Sequence, residues 1–162
     1  MQITGALTRR TIAVLGVTAA AVAGGAPAQA SDASLRRVVI QQEKKVAPVA
    51  DDFAEASEDA VSAVGRDQAL KAVTKLKTAV RRQRAAVVKQ KATSSRLKRA
   101  RTQYLAAVTR YSTGLKTFGQ GLDAFDPDAP AEAARLIKKA ESQLKAATTS
   151  RERARRLIVR RS

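Results

Sequence analysis

The chain has 162 residues and is strongly basic, with 31 Lys and Arg against 14 Asp and Glu and a formal net charge of +17. It contains neither Cys nor His, and its single Met is the first residue. These absences exclude disulfides, Ser-His and Cys-His nucleophiles, zinc sites built on Cys and His, and the Glu-x-x-His di-iron site. We therefore predict that the protein is not an enzyme and carries no cofactor.

The first predicted element is a cleaved export signal over residues 1–30. Arg9 and Arg10 precede an uncharged apolar run from Thr11 to Ala23, which is too short to span ~30 Å of hydrocarbon as a helix. Ala28-Gln29-Ala30 has the small-x-small pattern that a signal peptidase recognises, so we expect cleavage after Ala30. This predicts a secreted, periplasmic or cell-envelope protein, and an uncleaved anchor is the alternative.

Thr8-Arg9-Arg10-Thr11-Ile12 resembles the twin-arginine export signal, in which an apolar residue follows the paired arginines two places on. Ala13 and Val14 depart from the fuller pattern, where Leu and Lys are common, so the general secretory route stays open. The resemblance covers the signal alone, and it implies export of an already folded chain.

One hydrophobic period runs through the predicted mature domain, residues 31–162. Apolar or small residues recur at alternating steps of four and three, which places them along one seam of each helix. In the first helix the seam begins with Leu35, Val39, Gln42, Val46, Val49 and Phe53. Helix-forming residues dominate and no segment alternates like a strand. We predict an all-α, antiparallel four-helix bundle with helices at roughly 33–63, 67–91, 95–125 and 129–160.

The breaks between the predicted helices differ in strength. Gly65-Arg66-Asp67 is typical of a helix end followed by an N-cap, and Asp126 to Pro130 combines an Asp cap with prolines near a helix start. No Gly or Pro enforces a turn between the second and third helices, although Ser94 or Ser95 would cap the third. The alternative is therefore three helices, with one long central helix over 67–125.

Polar residues interrupt the seams near one end of the predicted bundle: Gln42, Gln90, Ser94, Arg101 and Arg151. A buried arginine without a partner would cost several kcal/mol. We therefore expect Arg101 and Arg151 to reach solvent.

Four rings share one seam position of the third helix at a spacing of seven residues: Tyr104, Tyr111, Phe118 and Phe125. Gly114 and Gly121 flank them at the same spacing. One interpretation is an aromatic groove, in which the glycines make room for an apolar ligand or a partner helix. The interpretation that we favour is a packing seam, in which glycine permits a neighbouring helix to approach closely.

The charges are unevenly distributed along the chain. Thirteen basic residues and one acid lie between Arg66 and Arg101, and a second basic cluster ends the chain. A surface so dominated by positive charge favours polyanion binding. Because the basic segment contains no aromatic residue, we expect it to bind the phosphate backbone of a nucleic acid without reading its bases. The predicted polyanion-binding residues are Lys71, Lys75, Arg82, Lys89, Arg96, Lys98, Arg155, Arg156 and Arg160. The acids between Asp51 and Asp59 are expected to pair with basic faces of adjacent helices.

Three functions are compatible with these patterns. The favoured one is an exported, non-enzymatic bundle that associates electrostatically with an anionic membrane surface or a wall polymer. The second is a binding module for an apolar ligand or partner helix that uses the seam of residues 104–125. The third is a basic protein that compacts nucleic acid without sequence specificity, in which case residues 1–30 would not be a signal.

Overall fold

The computed structural model describes residues 27–60 and 62–160, with side chains from Ser31 onward. These residues form four α-helices: α1 Pro27–Glu58, α2 Ala63–Val88, α3 Ser95–Asp123 and α4 Ala131–Val159. No strand occurs in the described ranges. The predicted all-α four-helix bundle is therefore confirmed.

Most of the predicted export signal lies outside the described residues, including Arg9, Arg10 and the apolar run from Thr11 to Ala23. α1 begins at Pro27, so cleavage after Ala30 would fall in its first turn and leave the rest of the helix intact. Within the described part of the chain, no helix is both long and apolar enough to cross a membrane.

Successive helices lie side by side and antiparallel. α3 packs most extensively against α4 and α1 against α2, while α2 with α3 and α1 with α4 share smaller contacts. At one end of the bundle, Ser34 Oγ donates to Gln90 Oε1 at 2.8 Å, and Arg36 Nε donates to the carbonyl of Ile158 at 3.1 Å. The start of α1 therefore lies beside the ends of α2 and α4, as up-down-up-down topology requires.

The chain turns between α2 and α3 without Gly or Pro. α2 ends at Val88 and α3 begins at Ser95, so the alternative of one long central helix over 67–125 is wrong. Ser94 has an extended backbone and its hydroxyl accepts from the Leu97 N–H at 3.4 Å. This N-cap provides an acceptor that an uninterrupted helix would not need.

Side chains from other helices stabilise the same turn. Arg101 donates from Nη2 to the carbonyl of Val88 at 2.6 Å and from Nε to that of Val87 at 3.3 Å, which joins α3 to the carbonyls at the end of α2. The Thr93 N–H donates to Asp32 Oδ1 at 2.7 Å. Slight burial alone would raise the pKa of the Asp32 carboxyl, but hydrogen bonds from Thr93 and Ser94 together hold it below the usual value.

The turn between α1 and α2 differs from the predicted one. Ser62, and not a residue after Gly65, is the N-cap of α2, and its hydroxyl accepts from the Gly65 N–H at 2.9 Å. A Cβ on Gly65 would lie 1.9 Å from the Asp59 carbonyl oxygen. Glycine is required at this position because the end of α1 passes directly against the first turn of α2.

The break over Asp126–Pro130 is confirmed, but its chemistry is different from the predicted Asp cap. Pro130 is the N-cap residue of α4 and makes no side-chain cap bond. Asp126 Oδ1 accepts from the Asp128 N–H at 2.9 Å, so it shapes the loop itself. Glu132 lies in the first turn of α4, where the helix dipole favours an acid.

The buried seam of α1 departs from the predicted one at two positions. Glu43 and Ala50 are buried, whereas Gln42 and Val49 are only partly so. A straight helix has 3.6 residues per turn, so a seam read with strict alternation of four and three drifts around the axis.

Glycines allow close approach between α3 and α4. A Cβ on Gly114 would lie 2.9 Å from Leu144 Cδ2, and one on Gly121 would lie 2.8 Å from Ile137 Cγ1 and 3.2 Å from the Ile137 backbone nitrogen. Both glycines are buried. α3 and α4, which make the most extensive contact in the bundle, therefore approach each other where α3 carries its glycines.

Replacing Gly121 with Ala is expected to destabilise the protein by about 1–3 kcal/mol, because the β-branched Ile137 and its backbone must move to admit the methyl group. Gly119→Ala is the matched control in the same helix, since the nearest atom to its added Cβ is Val73 Cγ1 at 3.7 Å. That control is expected to stabilise the helix by about 1 kcal/mol. Urea unfolding followed by circular dichroism measures both, and equal effects would contradict the requirement for glycine at 121.

Candidate functional site

The predicted polyanion-binding residues lie on the surface of the bundle. Eight are exposed and Arg155 is half-buried; the eight are Lys71, Lys75, Arg82, Lys89, Arg96, Lys98, Arg156 and Arg160. Arg96 Nη2 donates to the carbonyl of Arg160 at 2.8 Å, which brings the start of α3 to the end of α4. Lys89 is the C-cap of α2 at that same end. The structure therefore gathers one group of these cations at an end of the bundle and leaves another along α2.

Acidic residues neutralise little of the positive charge on this surface. The described part of the chain contains two ion pairs, Arg156 with Glu152 at 3.8 Å and Arg151 with Glu43 at 3.6 Å. The expected pairing of the acids between Asp51 and Asp59 with adjacent helices is wrong, since none of them takes part in either pair. Exposed ion pairs contribute only about 0–1 kcal/mol, so hydration competes with them effectively.

A layer of polar side chains crosses the core, and every helix contributes to it: Glu43 from α1, Gln83 from α2, Tyr104 and Tyr111 from α3, and Arg151 from α4. We call these five residues the buried polar layer. Glu43, Gln83 and Tyr104 are completely inaccessible, and Arg151 is 9% exposed. Since these groups are closed to solvent, we interpret the layer as structural.

The Tyr104 hydroxyl is at the centre of the buried polar layer. It accepts from Gln83 Nε2 at 2.9 Å and donates to Glu43 Oε1. Arg151 Nε lies 3.6 Å from the same carboxylate oxygen, and its guanidinium is 5.2 Å from the centroid of the Tyr111 ring. Burial and the Glu43 charge raise the pKa of Tyr104 well above its usual value, so the hydroxyl stays protonated at neutral pH.

The expectation that Arg151 reaches solvent is wrong. Burial acts to lower the pKa of its guanidinium, but Glu43, Tyr104, Tyr111 and Glu152 together outweigh this and raise it. The partner was missed because the strict seam of α1 assigned the inward position to Gln42 and not to Glu43. Within the described residues, no group of three or more acidic, His or Cys side chains is placed to hold a metal ion.

Three of the four rings singled out in the sequence are core residues: Tyr104, Tyr111 and Phe118. Phe118 packs edge-on against Phe53, with ring centroids 5.2 Å apart and an interplanar angle of 80°. Phe125 is half-buried at the end of α3, where the Arg66 guanidinium lies 5.2 Å from its centroid. The four rings therefore line no open groove, and the geometry favours the packing interpretation.

A surface groove of about 490 Å³ lies between α2 and α3 and combines cations with hydroxyl groups. Its cations are Lys77, Arg81, Arg84 and Lys116. Its hydroxyls belong to Thr74, Thr78, Thr109, Ser112 and Thr113. The buried residues Val80 and Val108 contribute apolar surface. We call this feature the α2/α3 groove.

None of the four groove cations is among the predicted polyanion-binding residues. The sequence of α2 carries two basic stripes of period seven, one through Lys75 and Arg82 and another through Lys77 and Arg84. Two residues correspond to about 200° around a helix, so the stripes lie almost on opposite sides of α2. Only the packed structure shows that the second stripe faces the hydroxyls of α3.

Comparison of the chain with protein-family models, curated proteins and solved structures gave no match. The function is therefore inferred from the chemistry of its own surfaces. Of these, the exposed basic residues and the α2/α3 groove are accessible to a partner, whereas the buried polar layer is not.

Proposed function

We propose that the protein is exported and associates electrostatically with anionic material of the cell envelope, above all with an anionic membrane surface, without catalysing a reaction. The observation that carries this proposal is the uncompensated charge of the surface. In the described part of the chain, Arg156 is the only one of the nine predicted residues in an ion pair. Of the remaining eight, all but the half-buried Arg155 are exposed to an external anion.

The expected energetics suit such an association. A Lys or Arg held near an anionic leaflet contributes about 1 kcal/mol, and the contribution falls off within a Debye length of ~8 Å at physiological salt. Several exposed cations along one face of α2, among them Lys71, Lys75 and Arg82, supply enough for reversible, salt-sensitive binding. A wall polymer would be attracted by the same charges.

Nucleic-acid compaction is the less favoured use of this surface. No ring lies between Arg66 and Arg101 on which bases could stack, so a nucleic acid would be held through its phosphates alone, and the predicted export signal favours an envelope partner. The two functions are distinguished by whether the protein is exported, because a protein that compacts nucleic acid would stay in the cytosol. Terminal sequencing of the protein from its natural host is expected to find Ser31 as the first residue in the exported fraction, and an intact Met1 in the cytosol would contradict the proposal.

Binding is tested by co-sedimentation of the full chain with vesicles across a salt series. We expect binding to phosphatidylglycerol vesicles that weakens steeply as salt rises, and little binding to phosphatidylcholine vesicles. Equal binding to both lipids would overturn the proposal. Because residues 1–30 are common to every variant of the full chain, differences between variants report on the helical domain.

A charge-matched pair of variants tests the assigned residues. Lys71, Lys75, Arg82 and Lys89 are replaced by Gln in one variant, and the exposed α4 residues Arg135, Lys138, Lys139 and Lys145 in the other. The first variant is expected to lose about tenfold or more in affinity and the second distinctly less. Equal losses would show that net charge matters and that the assigned face does not.

A further inference from the structure

We infer that the α2/α3 groove binds a polyol phosphodiester, in which a phosphate joins an alcohol that carries further free hydroxyls, as glycerol does. The inference rests on the proposed function and goes beyond it, because the groove lies on the flank of α2 away from Lys71, Lys75 and Arg82 and indicates a chemical group that the anionic partner presents there. That group occurs in phosphatidylglycerol headgroups and in free polyol-phosphate polymers.

The groove is built for negative charge. Three of its cations come from α2 and Lys116 comes from α3, so an anion between the helices meets positive charge from both sides. No acid lines the groove, and the chain has none between Asp67 and Asp123. Guanidinium groups offer planar pairs of donors that match phosphate oxygens, and Arg81 and Arg84 supply two of them.

The hydrogen bonds of three groove hydroxyls favour a ligand that also carries hydrogen-bond donors. These hydroxyls donate their only hydrogen to the carbonyl four residues earlier in their own helix, at 3.0, 3.0 and 3.2 Å: Thr74, Thr109 and Thr113. Each therefore presents lone pairs to the groove, and Thr109 already accepts from Arg84 Nε at 3.3 Å. Lone pairs repel a bare phosphate oxygen but accept hydrogen bonds from an alcohol.

Volume and lining fit the same ligand class. A groove of about 490 Å³ is within the range of roughly 300–1,000 Å³ that small-molecule sites occupy, and it is far larger than one inorganic phosphate needs. Val80 and Val108 provide apolar surface against which the carbon chain of a polyol packs. The four positive charges of the groove exceed the single negative charge of one phosphodiester. A polymer or adjacent headgroups would supply the further phosphodiesters.

The decisive comparison uses two lipids of equal charge. Vesicles of phosphatidylglycerol and of phosphatidylmethanol both carry one negative phosphodiester per lipid, but only the former has headgroup hydroxyls. We expect the full chain to bind phosphatidylglycerol roughly fivefold more tightly, as one or two hydrogen bonds to neutral acceptors allow. Thr109→Val with Thr113→Val should abolish this preference while binding to both anionic lipids persists.

The control replaces Thr102 and Thr149 with Val. These exposed threonines make the same bond to the carbonyl four residues earlier, at 3.1 Å each, but lie outside the groove. The control should keep the preference. Loss of the preference in both variants, or no preference in the parent chain, would overturn the groove assignment while anionic binding itself, and thus the proposed function, survives.

Soluble probes distinguish the two sources of the group. Glycerophosphoglycerol and dimethyl phosphate, which are both phosphodiesters, are titrated into the full chain, and chemical shifts of the groove threonines are followed by NMR. Tighter binding of glycerophosphoglycerol supports the groove and indicates that a free polyol-phosphate chain suffices as partner. A preference seen with vesicles alone supports the groove with a lipid headgroup as partner, and a preference in neither assay overturns it.

Discussion

Replacing Glu43 with Ala should destabilise the bundle by about 3–5 kcal/mol, the cost that follows when one partner of a buried ion pair is removed. Glu43 is completely buried, and its Oε1 lies 3.6 Å from Arg151 Nε and accepts from the Tyr104 hydroxyl. The variant leaves a guanidinium without its anion and a phenol without its acceptor. Since a domain is stable by only roughly 5–15 kcal/mol, urea unfolding of the full chain will show a large shift.

Two further variants identify the cause of that loss. Glu55→Ala removes an exposed acid from the same helix and should change stability by no more than about 0.5 kcal/mol. Combining Glu43→Leu with Arg151→Met should recover most of the loss, because an apolar pair of similar volume needs no compensating charge. If Glu43→Ala behaves like Glu55→Ala, the ion pair in the buried polar layer does not stabilise the fold.

The helical type of the elements was predictable, but their number stayed between three and four because no Gly or Pro marks the turn between α2 and α3. Helix-forming residues and a period near 3.5 indicate helices along the whole domain, and a capping residue such as Ser94 favours four segments over three. The boundaries were less certain because they depend on contacts between helices. At Gly65 the local pattern indicates a helix end, but the constraint is the carbonyl of Asp59, which a Cβ would meet at 1.9 Å.

The buried polar layer was not predictable in the same way. At Val39 the seam of α1 continues by a step of three to Gln42 or a step of four to Glu43, and burial of an isolated carboxylate is costly. What makes the second choice acceptable is Arg151, which belongs to a helix at the other end of the chain. Such a pair is recognised only when the packing of α1 against α4 is known.

The α2/α3 groove illustrates the same limit for function. Composition alone identifies α2 as basic, and its two stripes are visible as spacings of seven residues. The relation between Lys77 on α2 and Thr113 on α3 depends on how the two helices are rotated against each other. The rotation of α2 against α3 is set by which residues each helix buries. The groove can therefore be identified only when the core residues of both helices are known.

Replacing Phe118 with Ala should destabilise the protein by about 3–5 kcal/mol, the usual cost of deleting a fully buried aromatic side chain. Phe118 is 2% exposed, and its edge-on contact with Phe53 joins α3 to α1 across the core. Thermal unfolding monitored by circular dichroism measures the loss.

Phe125→Ala is the matched control, because this ring is only half-buried. It contacts the guanidinium of the partly exposed Arg66, which lies 5.2 Å from the ring centroid. It should cost about 1 kcal/mol. Vesicle binding measured well below the unfolding transition should be unchanged in both variants, since neither ring belongs to the basic surface. A Phe118→Ala protein of parental stability that no longer binds would instead restore the aromatic seam as a binding site, because only a ring that contacts the partner affects binding without affecting the fold.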